Sequence, residues 1–280
     1  YSQKRGLTID RVRASDIGDS LIEAPCGEFD DTPAGTAGAI AEGVTAFSSV
    51  FAEVRPDILV IMGDRFDALP AAVAALPYNI PVAHLSGGEI TEGVIDDLIR
   101  HAMTKLSHLH FAAYEEAAQR IIQMGEEPWR VMTTGEPGLD VFEGFPFDDR
   151  ETVFKAMGLD QDRAVSVFTY HPETLAPDRN ASDIESILAA ADRINSQIVF
   201  TYPNVDIGSQ AIIEAIDQYC RTHADCSAHA SLGHQRYPNL LRHADCMVGN
   251  SSSGIVEAAW FELPVVNIGR RQRGRAMAAN

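Results

Sequence analysis

The sequence predicts an α/β protein of two Rossmann-like lobes, each a parallel sheet covered by helices. Three observations carry that expectation. Apolar runs of strand length alternate with stretches of helical period along most of the chain. Those runs are continuous rather than alternating with polar residues, the mark of strands buried on both faces. The alternation also stops once, at a Pro/Gly-bearing break over residues 144–149, and then restarts.

In the first lobe, residues 57–62 follow Arg55-Pro56 and read as a buried strand, with a helix over 66–76. A strand at 81–85 and a helix at 96–106 come next, then a strand at 108–113, a helix at 115–124 and a strand at 129–134. In the second lobe the strands fall at 164–169, 197–201, 245–248 and 263–268, separated by helices at 182–195, 209–221 and 252–261. The lobes are thus expected over residues 1–146 and 147–280, with a ligand crevice between them beyond the carboxyl ends of the strands. No solenoid repeat or low-complexity tract interrupts this order.

Composition excludes several classes. Of 280 residues, 45% are hydrophobic and 22% charged, the balance of a soluble globular protein. The most apolar stretches are broken by Pro77, Pro81 or charges, so no bilayer-spanning run and no membrane partner is expected. No apolar segment follows the basic pair Lys4-Arg5, which points away from secretion and to the cytoplasm. Cys26, Cys220, Cys226 and Cys246 form no CxxC; Cys220 and Cys226 as a metal or redox pair compete with two isolated buried thiols, the favoured expectation. The net charge of −18 argues against a nucleic-acid partner. Against that background, four of the six residues from Arg270 to Arg275 are arginine. Such a cluster is ordinarily a solvated face or a protein contact; beside a phosphate turn it would neutralise a diphosphate.

Polar residues gather where strands end. Asp64 follows the 57–62 strand within Met62-Gly63-Asp64-Arg65-Phe66-Asp67, either as a helix cap or as an acid/base facing the crevice. His84-Leu85-Ser86-Gly87-Gly88-Glu89 ends the next strand, its paired glycines allowing close approach of a ligand. Beyond it, Asp97, Arg100 and His101 share one helix face and Asp96 lies in the first turn. Two aspartates there are ordinarily partners of the helix dipole, but convergence with Arg100 beside Gly-Gly favours a site. His171 ends the second lobe's first strand, where a histidine is a candidate general acid or base. Finally, Gly249-Asn250-Ser251-Ser252-Ser253-Gly254 runs from a strand into a helix, presenting N–H groups and hydroxyls to an anion, with Glu257 placed for ribose hydroxyls. A serine is also a common N-cap, and the turn matches neither a P-loop nor GxGxxG.

These blocks together resemble the hydrolysing UDP-N-acetylglucosamine 2-epimerases. The resemblance is carried by Gly63-Asp64-Arg65-Phe66-Asp67-Ala68-Leu69, Gly87-Gly88-Glu89, residues 96–107, Gly249-Asn250-Ser251-Ser252, Asn267-Ile268-Gly269 and Arg271-Gln272, in order over essentially the whole chain. It is closest to the branch feeding sialic and legionaminic acids. It implies a glycosyltransferase-B-like fold, a UDP-sugar substrate held mainly by the second lobe, self-association, and no metal or nicotinamide cofactor. The implied reaction is anti elimination of UDP across C1–C2, then addition of water to the glycal, giving an N-acetylmannosamine-type sugar. By position, Asp64 and Asp96 match catalytic carboxylates and His171 the second-lobe histidine. Ser251 and Ser252, with Gly254 in the same turn, match the phosphate site, Glu257 the ribose site, and Arg100, Arg271 and Arg275 arginines around the substrate.

Four departures qualify the match. Ser86 stands where simple members carry a catalytic glutamate, leaving Glu89 as the expected substitute. The loop 89–96 is a residue longer than in typical N-acetylglucosamine enzymes; both features resemble members acting on UDP-2,4-diacetamido-trideoxyhexoses. Val256 replaces an arginine before the ribose glutamate. Members also begin with a further strand and extend beyond the equivalent of Arg275, so this chain is expected to be a fragment lacking both ends. The leading expectation is a hydrolysing epimerase of UDP-N-acetylglucosamine, with the 2,4-diacetamido sugar as its alternative. A glycosyltransferase of the same fold and a non-catalytic UDP-sugar binder are the readings from other classes.

Overall fold

Every strand pair in the computed structural model, which describes residues 9–14, 20–24, 27 and 29–280, is parallel. Cys26 and the N-terminal basic pair lie outside the described residues. The first sheet holds β1 (Leu59–Met62), β2 (Val82–Leu85), β3 (Leu109–Ala112) and β4 (Val131–Thr133), in sequence order across the sheet. The second holds β5 (Val165–Thr169), β6 (Gln197–Thr201), β7 (Cys226–His229), β8 (Cys246–Gly249) and β9 (Val265–Asn267), ordered β7-β6-β5-β8-β9. Its order reverses at β5 and β8, the position at which parallel sheets open room for a ligand beyond the strand ends.

Helices fill the connections: α1 (Ile9–Arg13), α2 (Pro33–Val54), α3 (Leu69–Ala75), α4 (Asp96–Leu106), α5 (Glu115–Gln123), α6 (Arg150–Met157), α7 (Asn180–Ala191), α8 (Ser209–Thr222), α9 (Gly233–His243) and α10 (Glu257–Trp260). The chain divides into one unit of Tyr1–Glu89 with Ile95–Pro137 and another of Ile90–Val94 with Gly138–Asn280. The division thus falls before the 144–149 break, and a short piece of the β2–α4 loop groups with the second unit.

The second sheet is covered on both faces, as continuous apolar strands require. Val165, Val167, Val199 and Met247 pack with Phe154, Leu240 and Leu241 on one face. Phe168, Phe200 and Ile198 meet Ile184, Ile212 and Ile216 on the other. Each such side chain contributes about 1.5–3 kcal/mol on burial. In the first unit, Leu59 and Ile61 face α2 and α3 with Phe51, Ala72 and Val82.

Four expectations are corrected. β1 is not buried on both faces: it lies at a sheet edge, and Val60 and Met62 are 59% and 50% exposed. α2, unrecognised in the sequence, is long and apolar enough to cross a bilayer by length and composition, with mean hydropathy 1.2. Its apolarity is diffuse, built from Ala, Gly and Val rather than a dense run. It packs along α3, where a Cβ on Gly43 would lie 2.8 Å from Pro70. The helix expected at 252–261 is broken into a 3₁₀ turn, Ser252–Gly254, and the single turn of α10. There the Ser251 side chain accepts the Ser253 N–H, and the β-branched Ile255 and Val256 then weaken helical continuation. Lastly, Cys220 and Cys226 are joined in a disulfide rather than isolated. The end of α8 and the start of β7 approach within a Cα separation of 5.1 Å, inside the range such a bond requires.

Candidate functional site

In the first unit the site residues stand at the carboxyl ends of β1 and β2. Gly63 adopts φ 78° and donates its N–H to Leu85 O at 3.0 Å, so the two strand ends are tied just before Asp64 and Ser86. Arg100 of α4, 1% exposed, ion-pairs with Asp64, lies 3.5 Å from Asp97 and donates to Glu89 O at 3.1 Å. Asp97 also faces His101 at 3.7 Å, so the helix face read from the sequence is present. Glu89 and Asp96 are both buried. Thus Asp64, Arg100 and the Glu89 backbone meet, with Asp96 in the first turn of the same helix.

Beneath them His84 links three elements. Its Nε2–H donates to Gly63 O at 2.8 Å, and its Nδ1 meets Thr104 Oγ1 at 3.2 Å. Burial holds its pKa down at about 4, so the ring is neutral. The Gly-Gly pair is required by packing against the protein itself. A Cβ at Gly87 would lie 2.9 Å from His84 Nδ1, and one at Gly88, where φ is 77°, would lie 2.3 Å from Ala117 O. Ser86 takes a left-handed φ of 59° and donates its hydroxyl to Glu136 Oε2 at 3.0 Å.

In the second unit Asn250, fully buried, organises the ends of β5 and β8. Its Oδ1 accepts the His171 N–H at 2.7 Å and its Nδ2 donates to His171 O at 2.8 Å. Its own carbonyl accepts Arg271 Nη1 at 3.1 Å and Gln272 Nε2 at 2.8 Å. Gly249 is required by close approach: at φ 147°, a Cβ there would fall 1.9 Å from Thr169 O. His171 Nδ1 accepts the Asn204 N–H at 3.2 Å and lies 4.0 Å from Asp206 Oδ2.

Beyond Asn250 the N–H groups of Ser251 and Ser252 make no hydrogen bond among the described residues, while the Ser253 hydroxyl meets Tyr237 at 2.6 Å. Tyr237, Glu257, Phe142, Thr201 and Leu232 line a cavity of about 370 Å³. Burial pushes the Tyr237 hydroxyl well above the ordinary phenol range, so it stays protonated. Arg271 approaches the turn directly, whereas Arg275 is joined to it through Gln272 at 3.4 Å. Buried Glu173 accepts the Arg270 N–H. The segment 90–94 is fastened here too: the Glu92 N–H donates to Arg273 O at 3.0 Å, and its carboxylate pairs with Arg273 Nε at 3.0 Å.

His171, Ser251, Ser252 and Arg271 are therefore brought together around Asn250, with Gly254 buried in the turn and Glu257 on the cavity wall. Sequence reasoning missed Asn250 as the hub, although it sat within the quoted motif. It gave no role to Gln272, although the Arg271-Gln272 pair was quoted, and it missed Glu173, Glu136 and the cavity residues Phe142 and Tyr237, which carry no local signal.

Parallel sheets with an order reversal at β5 and β8 define an α/β protein of the glycosyltransferase-B-like fold, in which the serine turn presents an open N–H pair. The chain belongs to the UDP-N-acetylglucosamine 2-epimerase family, which its residues 19–280 match. It is 40% identical over 242 residues to the UDP-N,N'-diacetylbacillosamine 2-epimerase (hydrolyzing) of Legionella pneumophila, covering 86% of this chain and 64% of that protein. It is 38% identical to the GDP/UDP-N,N'-diacetylbacillosamine 2-epimerase (hydrolyzing) of Campylobacter jejuni, covering 84% of this chain and 62% of the other. With the UDP-N-acetylglucosamine 2-epimerase of Neisseria meningitidis it shares 35% identity, covering 84% and 61%. The chain thus spans less than two thirds of the length of these curated relatives. Among solved structures, UDP-GlcNAc 2-epimerase from Neisseria meningitidis bound to UDP-GlcNAc superposes with TM-score 0.73 at 16% identity, covering 95% of this chain and 73% of the other.

Proposed function

We propose that the protein is a hydrolysing 2-epimerase of a UDP-activated 2-acetamido sugar, and that the sugar is the 2,4-diacetamido-trideoxy form. The carrying observation is the cavity bearing Glu257 beside the open N–H groups of Ser251 and Ser252. Its volume of about 370 Å³ suits a nucleoside, with an acceptor for ribose hydroxyls and N–H donors for the adjoining phosphates. Ser86, the longer 89–96 loop and the higher identity to the two diacetylbacillosamine enzymes favour the diacetamido sugar over UDP-N-acetylglucosamine, the second reading.

The chemistry requires a base at C2, an acid or charge at the departing UDP, and a positioned water. As the C2 proton leaves, its bonding electrons form the C1=C2 bond and the C1–O bond breaks toward UDP. Ser251, Ser252, Arg271 and Arg275 hold the diphosphate, and His171 aids its departure. Asp64, Glu89 and Asp96 furnish carboxylates at the strand ends of the first unit, with Arg100 orienting Asp64. Incubation with each UDP-sugar in D2O, followed by NMR, tests this reading. UDP release with deuterium at C2 of a free manno-configured sugar is expected. Transfer to an acceptor, or binding without turnover, refutes it.

A further inference from the structure

We infer that Glu136 is the catalytic base that takes the C2 proton, supplying from the end of β4 the carboxylate that Ser86 removes from the end of β2. The inference rests on the epimerase reading above. Ser86 occupies the strand-end position where the family resemblance expects a glutamate, and a serine has no carboxylate to offer there. Its hydroxyl nevertheless ends on one: Ser86 Oγ donates to Glu136 Oε2 at 3.0 Å, although fifty residues separate the two. That bond uses the Ser86 proton and one Glu136 oxygen. The other oxygen, Oε1, makes no hydrogen bond among the described residues and is available to a substrate.

The backbone supports the same reading. Ser86 is held at φ 59°, a left-handed conformation uncommon for serine, directly after the Gly63–Leu85 bond that joins the ends of β1 and β2. Its N–H is also fixed, to Phe111 O at 2.8 Å on β3. The hydroxyl thus points across the carboxyl end of the sheet toward the loop after β4, where Glu136 lies. Glu136 is half-buried, whereas Glu89, the substitute suggested by sequence spacing, is 3% exposed. A base must reach a hydrogen on bound substrate, and then return its proton to solvent; partial exposure serves both.

In the step assigned to it, Glu136 Oε1 takes the C2 proton while the C2–H electron pair becomes the C1=C2 bond and UDP leaves with the C1–O pair. Ser86 stays hydrogen-bonded and positions the carboxylate.

The full-length protein tests this through Glu136→Gln and the double variant Ser86→Glu/Glu136→Gln. Glu136→Gln is expected to lower kcat at least a hundredfold, the scale of general-base loss, with KM and UDP affinity within about twofold of wild type. Returning the glutamate to β2 in the double variant is expected to recover at least tenfold in kcat and in C2 deuterium incorporation. A structural role for Glu136 would not give that rescue. Near-wild-type turnover of Glu136→Gln, or a double variant no more active than Glu136→Gln, overturns the assignment and leaves the epimerase reading standing. A wild type that binds UDP yet releases none from either UDP-sugar overturns both.

Discussion

Replacing Asn250 by alanine should damage stability and nucleotide binding together. The side chain is fully buried and makes two bonds, 2.7 Å from the His171 N–H and 2.8 Å to the His171 carbonyl. Alanine removes both bonds from buried backbone groups, at about 1–3 kcal/mol each, so a loss of about 3–4 kcal/mol is expected once partial relaxation is allowed. The Asn250 carbonyl also receives Arg271 and Gln272, so movement of the turn carries Arg271, proposed to hold the diphosphate, with it. UDP affinity should fall at least tenfold. Asn250→Asp is a sharper probe: it retains the acceptor for the His171 N–H but sets a carboxylate oxygen where a donor faced the His171 carbonyl. It should therefore be as harmful as alanine despite being nearly isosteric. Urea unfolding and UDP titration calorimetry measure the two effects. A stability change below about 1 kcal/mol with unchanged UDP affinity in both variants would show that Asn250 is not the hub described.

Asp64→Asn should destabilise the first unit by about 2–3 kcal/mol, the low end for breaking a buried pair, because Arg100 is 1% exposed but Asp64 is 25% exposed and Asp97 remains 3.5 Å away. Thermal unfolding checks this, and no change in Tm would refute it. His84 predicts a pH dependence. Its folded pKa is about 4 and its unfolded value 6.5, so between these the unfolded chain binds more protons. Its contribution is complete above pH 6.5 and drains by about 3 kcal/mol as pH falls toward 4. Urea unfolding of His84→Gln should show a flatter profile than wild type over that range; an unchanged slope would exclude His84 as its source.

Much of the site could be read before the fold because its residues cluster at strand ends. A helix spacing of three and four was enough to align Asp97, Arg100 and His101, and the structure sets Arg100 against Asp97 on that face and against Asp64 at the end of β1. What the paired glycines pack against was hidden for a physical reason. Sequence shows that a position lacks a Cβ but not which neighbour requires the space; at Gly88 that neighbour is Ala117 of the protein's own helix. The Cys220–Cys226 link was likewise hidden, since a six-residue spacing says nothing of how closely the end of α8 approaches β7.

The sequence by itself determined the α/β class, the alternation that makes the sheets parallel, and the position of the serine turn at a strand end, because periodicity and turn chemistry are local properties. Tertiary structure alone decided that Asn250 joins His171 to that turn, that Phe142 and Tyr237 wall one cavity, and that Glu136 reaches Ser86. Each is a contact between segments far apart in the chain, made when strands align in register, and no local pattern records that alignment.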